Sequence, residues 1–275
     1  PGDLGNQMFK YAALRGIAKY NEQDFLIPPS YLKLEKYKTL YKLFTKTVNP
    51  KVKQNHQLFN CFKMTSVSKQ NIGYIETSNL VRENYFHFEP KFLSLNYSDF
   101  EIIGFFQSEK YFLNVSEIIK SDFQFRESIE KKTNSYMAKL DNPVSIHIRR
   151  GDYLTNPNHS TLSMDYYANA LSNFKKNRNF LIFSDDIEWC REQEIFNADN
   201  FIFSKDITNN LTYLDLCLMS KCKDHIIANS TFSWWGAWLS DYENVYAPKN
   251  WFPKSKSVLK DTKDLFPSNW QLIEN

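Results

Sequence analysis

The chain has 275 residues, which exceeds a typical single-core domain and fits two lobes of roughly 100–150 residues each. Its net charge of +3, with no basic stripe, excludes a nucleic-acid-binding footprint. No stretch approaches the roughly 20 apolar residues that span a bilayer, and no signal peptide is visible. We therefore expect a cytoplasmic protein whose four cysteines are reduced.

The first half of the chain predicts few regular elements. Residues 6–20 predict a helix after a glycine-containing turn. Residues 101–106 predict a strand, after which Ser108 would cap a helix that runs to about residue 120. A further helix is predicted at 128–140. Because the first residues already belong to a functional loop, we expect the preceding strand of this lobe to be missing.

From residue 144 onward, strands and helices alternate. The predicted strands are 144–149, 180–184, 200–203, 224–228 and 244–247, and the predicted helices are 164–176, 186–194, 210–221 and 229–240. Strands separated by helices of this length imply βαβ units and a parallel sheet. The predicted domains are therefore a lobe at 1–141, a second lobe at 142–250, and a tail at 251–275 that packs back on the first lobe.

The strand at 144–149 carries the most informative motif. Its apolar and polar residues alternate, and it delivers four chemically useful side chains to its carboxyl end: His147, Arg149, Arg150 and Asp152. In open α/β sheets, ligands bind at that edge. Paired arginines match a diphosphate because each planar guanidinium donates parallel charge-assisted bonds. The alternative is that both arginines are ordinary surface charges.

A second motif follows the strand at 224–228. A turn rich in hydroxyls and amides leads into a helix through Asn229, Ser230, Thr231, Phe232, Ser233 and Trp234. Such a turn can cradle phosphate, since a helix N-terminus offers free N–H groups and a positive dipole end. The alternative is a plain N-cap, which favours the same residue types.

Asp215 lies among leucines in a predicted helix, where a carboxylate is costly to bury without donors. The N1 and N2 groups of guanine are two adjacent donors that one carboxylate can accept. An exposed helical aspartate is the alternative.

Two further clusters are weaker. Residues 2–7, including Gly5 and Asn6, form a glycine-spaced turn that could face an anion. Asp185 and Asp186 could bind a divalent metal with a diphosphate, although an N-cap is the favoured interpretation. We predict no zinc site, because three residues of suitable type lack a fourth ligand: Cys217, Cys222 and His225.

Together these motifs resemble the α1,2-fucosyltransferases of glycosyltransferase family eleven. The matching stretches are 5–9, 104–108, 147–153, 183–186 and 229–235. The resemblance implies an α/β GT-B architecture, in which two Rossmann-like lobes with parallel sheets face a cleft. It also implies inverting transfer of L-fucose from GDP-β-L-fucose to a galactose 2-hydroxyl, without a metal or other cofactor, in bacterial polysaccharide biosynthesis.

The resemblance also implies residue roles. Arg149 and Arg150 bind the diphosphate, and Arg150 stabilises the charge on the leaving GDP. His147 holds the nucleoside, Asp215 reads the guanine edge, and the turn from Ser230 to Trp234 closes over the phosphates with main-chain N–H groups. Asn229, Gly5 and Asn6 complete the donor site.

The general base is open. Asp152 is the nearest candidate in sequence, although its alternative role is to orient Arg149 or Arg150. Asp3, which stands where the family usually has glycine, is a second candidate.

Three other functions remain open. One is GDP-fucose transfer with another linkage, α1,6 or O-linked. Another is a metal-dependent nucleotide-sugar transferase that uses Asp185 and Asp186. The third is a GDP- or glycan-binding module without turnover. The lysine-rich stretch 33–53 is typical of a solvated face, with peripheral association at a membrane surface as the alternative.

Overall fold

A computed structural model describes residues 3–27, 57–73, 75–209, 211–253 and 261–275. The lysine-rich stretch 33–53 and the start of the turn at residue 2 lie outside these described residues. Among the residues that are described, no helix combines the length and apolar character needed to cross a membrane.

The strands of the described chain form two parallel sheets. Their bounds are β1 (Leu80–Arg82), β2 (Glu101–Ile103), β3 (Val144–Ile148), β4 (Phe180–Ser184), β5 (Phe201–Phe203), β6 (Asp224–Ile226), β7 (Asn244–Pro248) and β8 (Gln271–Ile273). β1 pairs with β2, and the other six strands pair in the order β5-β4-β3-β6-β7-β8.

The helices of the described chain largely follow the predicted order. Their bounds are α1 (Leu4–Tyr20), α2 (Gln57–Cys61), α3 (Ser116–Asp122), α4 (Glu127–Met137), α5 (Met164–Leu171), α6 (Ile187–Arg191), α7 (Lys205–Thr208), α8 (Thr212–Met219) and α9 (Thr231–Trp238). The helix predicted after Ser108 is instead split into two 3₁₀ turns followed by α3. We attribute the break to packing against α1. The backbone at Tyr111 lies so close to Gly16 of α1 that a Cβ there would be 2.0 Å from the Tyr111 carbonyl oxygen.

The order of the large sheet fixes where a ligand can enter. From β3 the chain moves outward to β4 and β5, whereas from β6 it moves the other way to β7 and β8. This is the Rossmann strand order, and its crevice lies between the carboxyl ends of the two central strands, β3 and β6. The predicted mixed α/β fold with parallel sheets is confirmed.

In the described part of the tail, 251–253 and 261–275, the last residues join the large sheet. β8 extends the large sheet as a parallel edge strand beside β7, which the sequence did not predict. Its three residues are mostly exposed, so they carry no strand-like alternation of burial. Trp270, just before β8, lies 5.4 Å from the ring of Trp234 in the core.

One apolar core joins α1 to α9. The Phe9 ring lies 4.5 Å from Trp234 and 4.9 Å from Trp235, and all three side chains are fully buried. The first helix is therefore packed directly against the helix that follows β6. In the described N-terminal half, the only sheet is the β1–β2 pair, so a second Rossmann-like lobe and the division into domains stay predictions.

Candidate active site

The crevice between β3 and β6 is bounded by the two loops that carry the strongest motifs. Residues 149–153 follow β3, and residues 227–230 follow β6. The loops are tied together, because the Tyr153 hydroxyl donates to the Asn229 carbonyl oxygen at 3.1 Å. Below them, His147 Nδ1 lies 2.9 Å from Ser233 Oγ. Most of the predicted site residues are thus brought to one place.

Arg149 is held between two carboxylates. Its Nη2 donates to Asp152 Oδ1 at 2.5 Å, and its Nη1 lies 3.0 Å from Asp185 Oδ2. The guanidinium also lies 5.3 Å from the centroid of the Tyr153 ring. Burial alone would lower the pKa of Arg149, but Asp185 and Asp152 outweigh it and raise that pKa. The charge on Arg149 is therefore permanent.

Arg150 points to different partners from Arg149. Its guanidinium carbon lies 3.6 Å from the centroid of the Trp189 ring, a close cation–π contact. Its Nε lies 3.1 Å from Asp186 Oδ2. Trp189 was missed by sequence reasoning, because nothing in the pattern of α6 places that ring beneath an arginine from another loop. Among the described residues, the Arg150 guanidinium is therefore hydrogen-bonded through Nε, and neither of its Nη groups donates to a carboxylate.

Asp185 and Asp186 both bind residues 149–153, which we call the arginine loop. Asp186 accepts from the Trp189 amide at 3.4 Å, which makes it the N-cap of α6, as favoured from the sequence. Asp185 accepts from the Arg150 amide at 2.9 Å. A Cβ on Gly151 would lie 2.3 Å from Asp185 Oδ2, so any other residue here would displace this carboxylate. Both carboxylates are engaged with guanidinium or peptide N–H groups.

The two candidate bases differ in their surroundings. Asp152 has an exposed side chain that orients Arg149, in agreement with its alternative role. Asp3 occupies the N-cap position of α1, but its side chain makes no capping hydrogen bond, and it is exposed. The identity of the general base, Asp152 or Asp3, therefore stays a prediction.

The start of α9 has the geometry of a helix cap facing the crevice. Ser230 Oγ accepts from the Phe232 amide at 3.3 Å. The other amides of the first turn, those of Thr231 and Ser233, have no intrahelical acceptor. The Trp234 amide donates to the Ser230 carbonyl oxygen at 3.1 Å, and the indole is fully buried. The helix therefore already uses the Trp234 amide, and the contact of Trp234 with the donor stays a prediction.

The N-terminus of α1 meets the N-terminus of α9. A Cβ on Gly5 would lie 2.6 Å from Thr231 Oγ1 and 2.8 Å from the Phe232 nitrogen. Trp235 Nε1 donates to the Gly5 carbonyl oxygen at 3.1 Å. Asn6 Oδ1 accepts from Gln107 Nε2 at 2.8 Å. Two positive helix ends are thus placed side by side beside the arginine loop, which favours an anion.

His147 is buried beneath these loops. Burial, followed by the nearby Arg149 charge, lowers the pKa of His147 to about 3, so the imidazole is neutral at physiological pH. Its ring centroid lies 5.7 Å from that of Phe232. The histidine therefore links β3 to α9 and supports the site from below, and its predicted contact with the nucleoside is untested.

Asp215 lies in α8, and its side chain is partly buried. Its Oδ1 accepts from Thr208 Oγ1 at 2.7 Å. Burial raises the pKa of Asp215 to about 6, against hydrogen bonds from Thr208 and Ser204 that lower it. The alternative of an exposed helical aspartate is wrong. In the described structure Asp215 makes no hydrogen bond or ion pair with the other predicted site residues.

Asn229 is fully buried, and its side chain connects the segments that contain Ser160 and Trp251. Its Nδ2 donates to the carbonyl oxygens of Ser160 and Trp251, at 2.9 and 3.1 Å. Its Oδ1 has no partner among the described residues. The amide donors are therefore already occupied by the protein.

The three zinc-type residues have ordinary buried roles. His225 Nδ1 lies 2.7 Å from Ser145 Oγ, and its Nε2 lies 2.9 Å from Ser240 Oγ. Cys217 and Cys222 are buried free thiols, and burial raises the pKa of each to about 12. Within the described residues, no three His, Cys, Asp or Glu side chains converge as metal ligands.

Comparisons with known proteins give one consistent answer. A family model described as "Glycosyl transferase family 11" matches residues 1–274. The chain is 34% identical over 293 residues to an alpha-1,2-colitosyltransferase of Escherichia coli, covering 99% of this chain and 97% of that relative. It is 31% identical to the O-antigen biosynthesis glycosyltransferase WbnK of E. coli, covering 91% and 93%. It is 25% identical to galactoside alpha-(1,2)-fucosyltransferase 1 of Alouatta belzebul, covering 93% and 68%.

Proposed function

This chain belongs to glycosyl transferase family 11, and we propose that it transfers L-fucose from GDP-β-L-fucose to the 2-hydroxyl of a galactose residue in a glycan. The predicted family resemblance and the enzyme class are confirmed. The observation that carries the proposal is that Arg149 and Arg150 directly follow β3, while the N-terminus of α9 directly follows β6 and contacts the N-terminus of α1 at Gly5. A nucleoside diphosphate carries the charge that such a crevice favours.

The diphosphate would bind where donors remain open. Arg150 is stacked on Trp189 and fixed at Nε, so its Nη groups are held in place by the protein before any ligand arrives. The first-turn amides of α1 and α9, two helices whose starts are in contact at Gly5, would add uncharged donors. Preorganised donors of this kind stabilise charge without reorganisation during the reaction.

The guanine base would bind at Asp215. Its carboxylate already has donors on one side from Thr208 and Ser204, and a base edge with two N–H groups would supply more. Binding two such donors favours the ionised carboxylate over the neutral form. This assignment explains why an otherwise costly carboxylate is retained among leucines.

The reaction would be a single inverting displacement. The acceptor oxygen attacks the anomeric carbon of fucose while the bond from that carbon to the diphosphate oxygen breaks. The electron pair leaves with GDP, where Arg150 stabilises the new charge, and the acceptor proton passes to a carboxylate, Asp152 or Asp3. No step requires a metal, and the GT-B arrangement of two lobes is part of the same proposal.

Colitose is the second candidate for the transferred sugar. The observation that favours it is the 34% identity to an alpha-1,2-colitosyltransferase over nearly the whole chain. The two donors would use the same diphosphate and base contacts, so they differ only at the sugar. Neither the arginine loop nor Asp215 discriminates between them.

A transfer assay with purified protein tests the proposal. The protein is incubated with GDP-fucose, or with GDP-colitose, and with acceptors ending in galactose or in N-acetylglucosamine, and the product linkage is read by NMR. We expect an α1,2 link to galactose, formed equally well in the presence of EDTA. An α1,6 product, or loss of activity with EDTA, would contradict the proposal. Binding of GDP without any turnover would instead indicate a binding module.

A further inference from the structure

Phe105 is an exposed ring that directly precedes three buried residues, 106–108. Its side chain is 53% exposed, whereas Phe106 is 1% and Ser108 is 0% exposed. The loop follows β2 and leads to Gln107, whose Nε2 donates to Asn6 at the start of α1. The ring therefore stands at the surface close to the N-terminus of α1.

The loop holds Phe105 outward by specific contacts. Glu83 Oε2 accepts from the amides of Phe105 and Phe106, at 2.8 and 3.0 Å. Phe106 has a φ of 54°, a left-handed conformation that is unusual for an aromatic residue. A Cβ on Gly104 would lie 2.6 Å from Glu83 Cβ, so glycine is needed for this close approach. Backbone strain that the surroundings enforce is concentrated at functional sites.

A continuous row of aromatic rings connects Phe105 with the candidate active site. It begins at Tyr153, whose ring lies 5.3 Å from the Arg149 guanidinium. The following rings are His159, Phe252, Phe86 and Phe105, with successive centroids 4.4, 5.8, 4.8 and 6.1 Å apart. Phe252 is buried inside the row, Phe105 is exposed at its end, and the three remaining rings are partly buried: Tyr153, His159 and Phe86.

We propose that Phe105 is a stacking platform for the acceptor glycan, and that it contacts a sugar unit beyond the one that accepts fucose. This inference rests on the proposed function. The reacting galactose would lie near Tyr153 and the arginine loop, and the glycan would extend over the row toward Phe105. The apolar C–H face of a pyranose carries partial positive charge, which suits the electron-rich face of an aromatic ring.

Glu83 is a positioning residue in this proposal, because it fixes the amides that present Phe105. Burial raises the pKa of Glu83 despite the hydrogen bonds from Phe106 and Phe105 that lower it. The carboxylate does not need to touch the glycan. Loosening the loop would therefore weaken acceptor binding and leave the chemistry of the donor unchanged.

The test compares acceptors of different length. KM and kcat are measured for methyl β-D-galactopyranoside, lactose and lacto-N-tetraose in the wild type, Phe105→Ala, Phe105→Trp and Glu83→Ala. We expect Phe105→Ala to raise KM for the tetrasaccharide by about tenfold, as expected for uncovering one aromatic contact. KM for the monosaccharide and for GDP-fucose should stay unchanged, and Phe105→Trp should retain wild-type values. Glu83→Ala should raise the tetrasaccharide KM with little change in kcat.

Tyr97→Ala is the matched control, because Tyr97 is an exposed ring (45%) outside the row. An unchanged tetrasaccharide KM in Phe105→Ala, or equal increases for all three acceptors, would overturn the inference. Dissociation of a dimer in Phe105→Ala with unchanged KM, seen by analytical ultracentrifugation, would assign the ring to a subunit contact instead. If the wild type transfers no sugar to any acceptor, the proposed function fails rather than this inference.

Discussion

Replacing Asp215 with asparagine separates the penalty of a buried charge from the benefit of recognising a base. Asparagine keeps the shape and an oxygen that can accept from Thr208, but it is neutral at every pH. In the wild type, burial raises the pKa of Asp215 to about 6 from a model-compound value of 3.8. The pKa of Asp215 is higher in the folded protein than in the unfolded chain. The carboxyl group therefore stabilises the fold fully at pH values below its unfolded pKa, and this stabilisation is lost as pH rises through about 6.

The size of the effect follows from the two pKa values. The difference between them corresponds to roughly 3 kcal/mol of unfolding free energy once the carboxylate is ionised in both states. Asp215→Asn should therefore be more stable than the wild type by up to about 3 kcal/mol near pH 8, and about equal to it near pH 4. Urea unfolding followed by tryptophan fluorescence at both pH values measures the difference.

The same variant should lose base recognition. If the carboxylate accepts the N1 and N2 groups of guanine, Asp215→Asn should weaken GDP by at least about tenfold, the scale of a lost charge-assisted bond, and leave UDP nearly unchanged. Isothermal titration with both nucleotides reads this directly. A stability difference that does not depend on pH would refute the burial argument. Equal weakening of GDP and UDP would refute the guanine assignment.

Three further predictions follow from the same site. Arg150→Ala should lower kcat by at least about a hundredfold, because the change removes a donor to the charge that develops on the leaving GDP. Single-turnover assays at saturating GDP-fucose measure this loss. Full activity would remove Arg150 from catalysis. Gly5→Ala should lower the unfolding free energy by about 1–3 kcal/mol, because its methyl group would overlap Thr231. The control is Gly73→Ala, whose methyl group would meet Leu26 only at an ordinary van der Waals distance of 3.6 Å. Wild-type urea stability of Gly5→Ala would contradict the close contact of α1 and α9. Trp189→Ala should increase the KM for GDP-fucose by a few fold, since cation–π contacts contribute about 0.5–2 kcal/mol; an unchanged KM would show that Arg150 needs no support from the ring.

The local sequence pattern was sufficient to predict the strands from β3 to β7, but not the edge strand β8. Alternation along 144–148 and the βαβ spacing predict the parallel strands and the position of Arg149 and Arg150 at a carboxyl edge. β8 escaped prediction because three mostly exposed residues have no periodicity to detect. The helix predicted after Ser108 failed because packing on Gly16 of α1 decides the backbone there.

The ionic contacts of the arginines could not be predicted from the sequence. Asp185 and Asp186 lie 35 and 36 positions along the chain from Arg150, and their adjacency exists only after β3 and β4 pair. The N-cap role of Asp186 was predictable because it is local. The stacking on Trp189 required the fold, since the ring reaches Arg150 from a separate helix.

The central claim is that a diphosphate binds between β3 and β6, on Arg150 and the two helix N-termini. A crystal structure of the protein with GDP tests it most directly. We expect phosphate oxygens within hydrogen-bond distance of Arg150 Nη and of first-turn amides at Gly5 or Thr231. A diphosphate bound elsewhere, with both arginines still engaged only by Asp152, Asp185 and Asp186, would contradict the account.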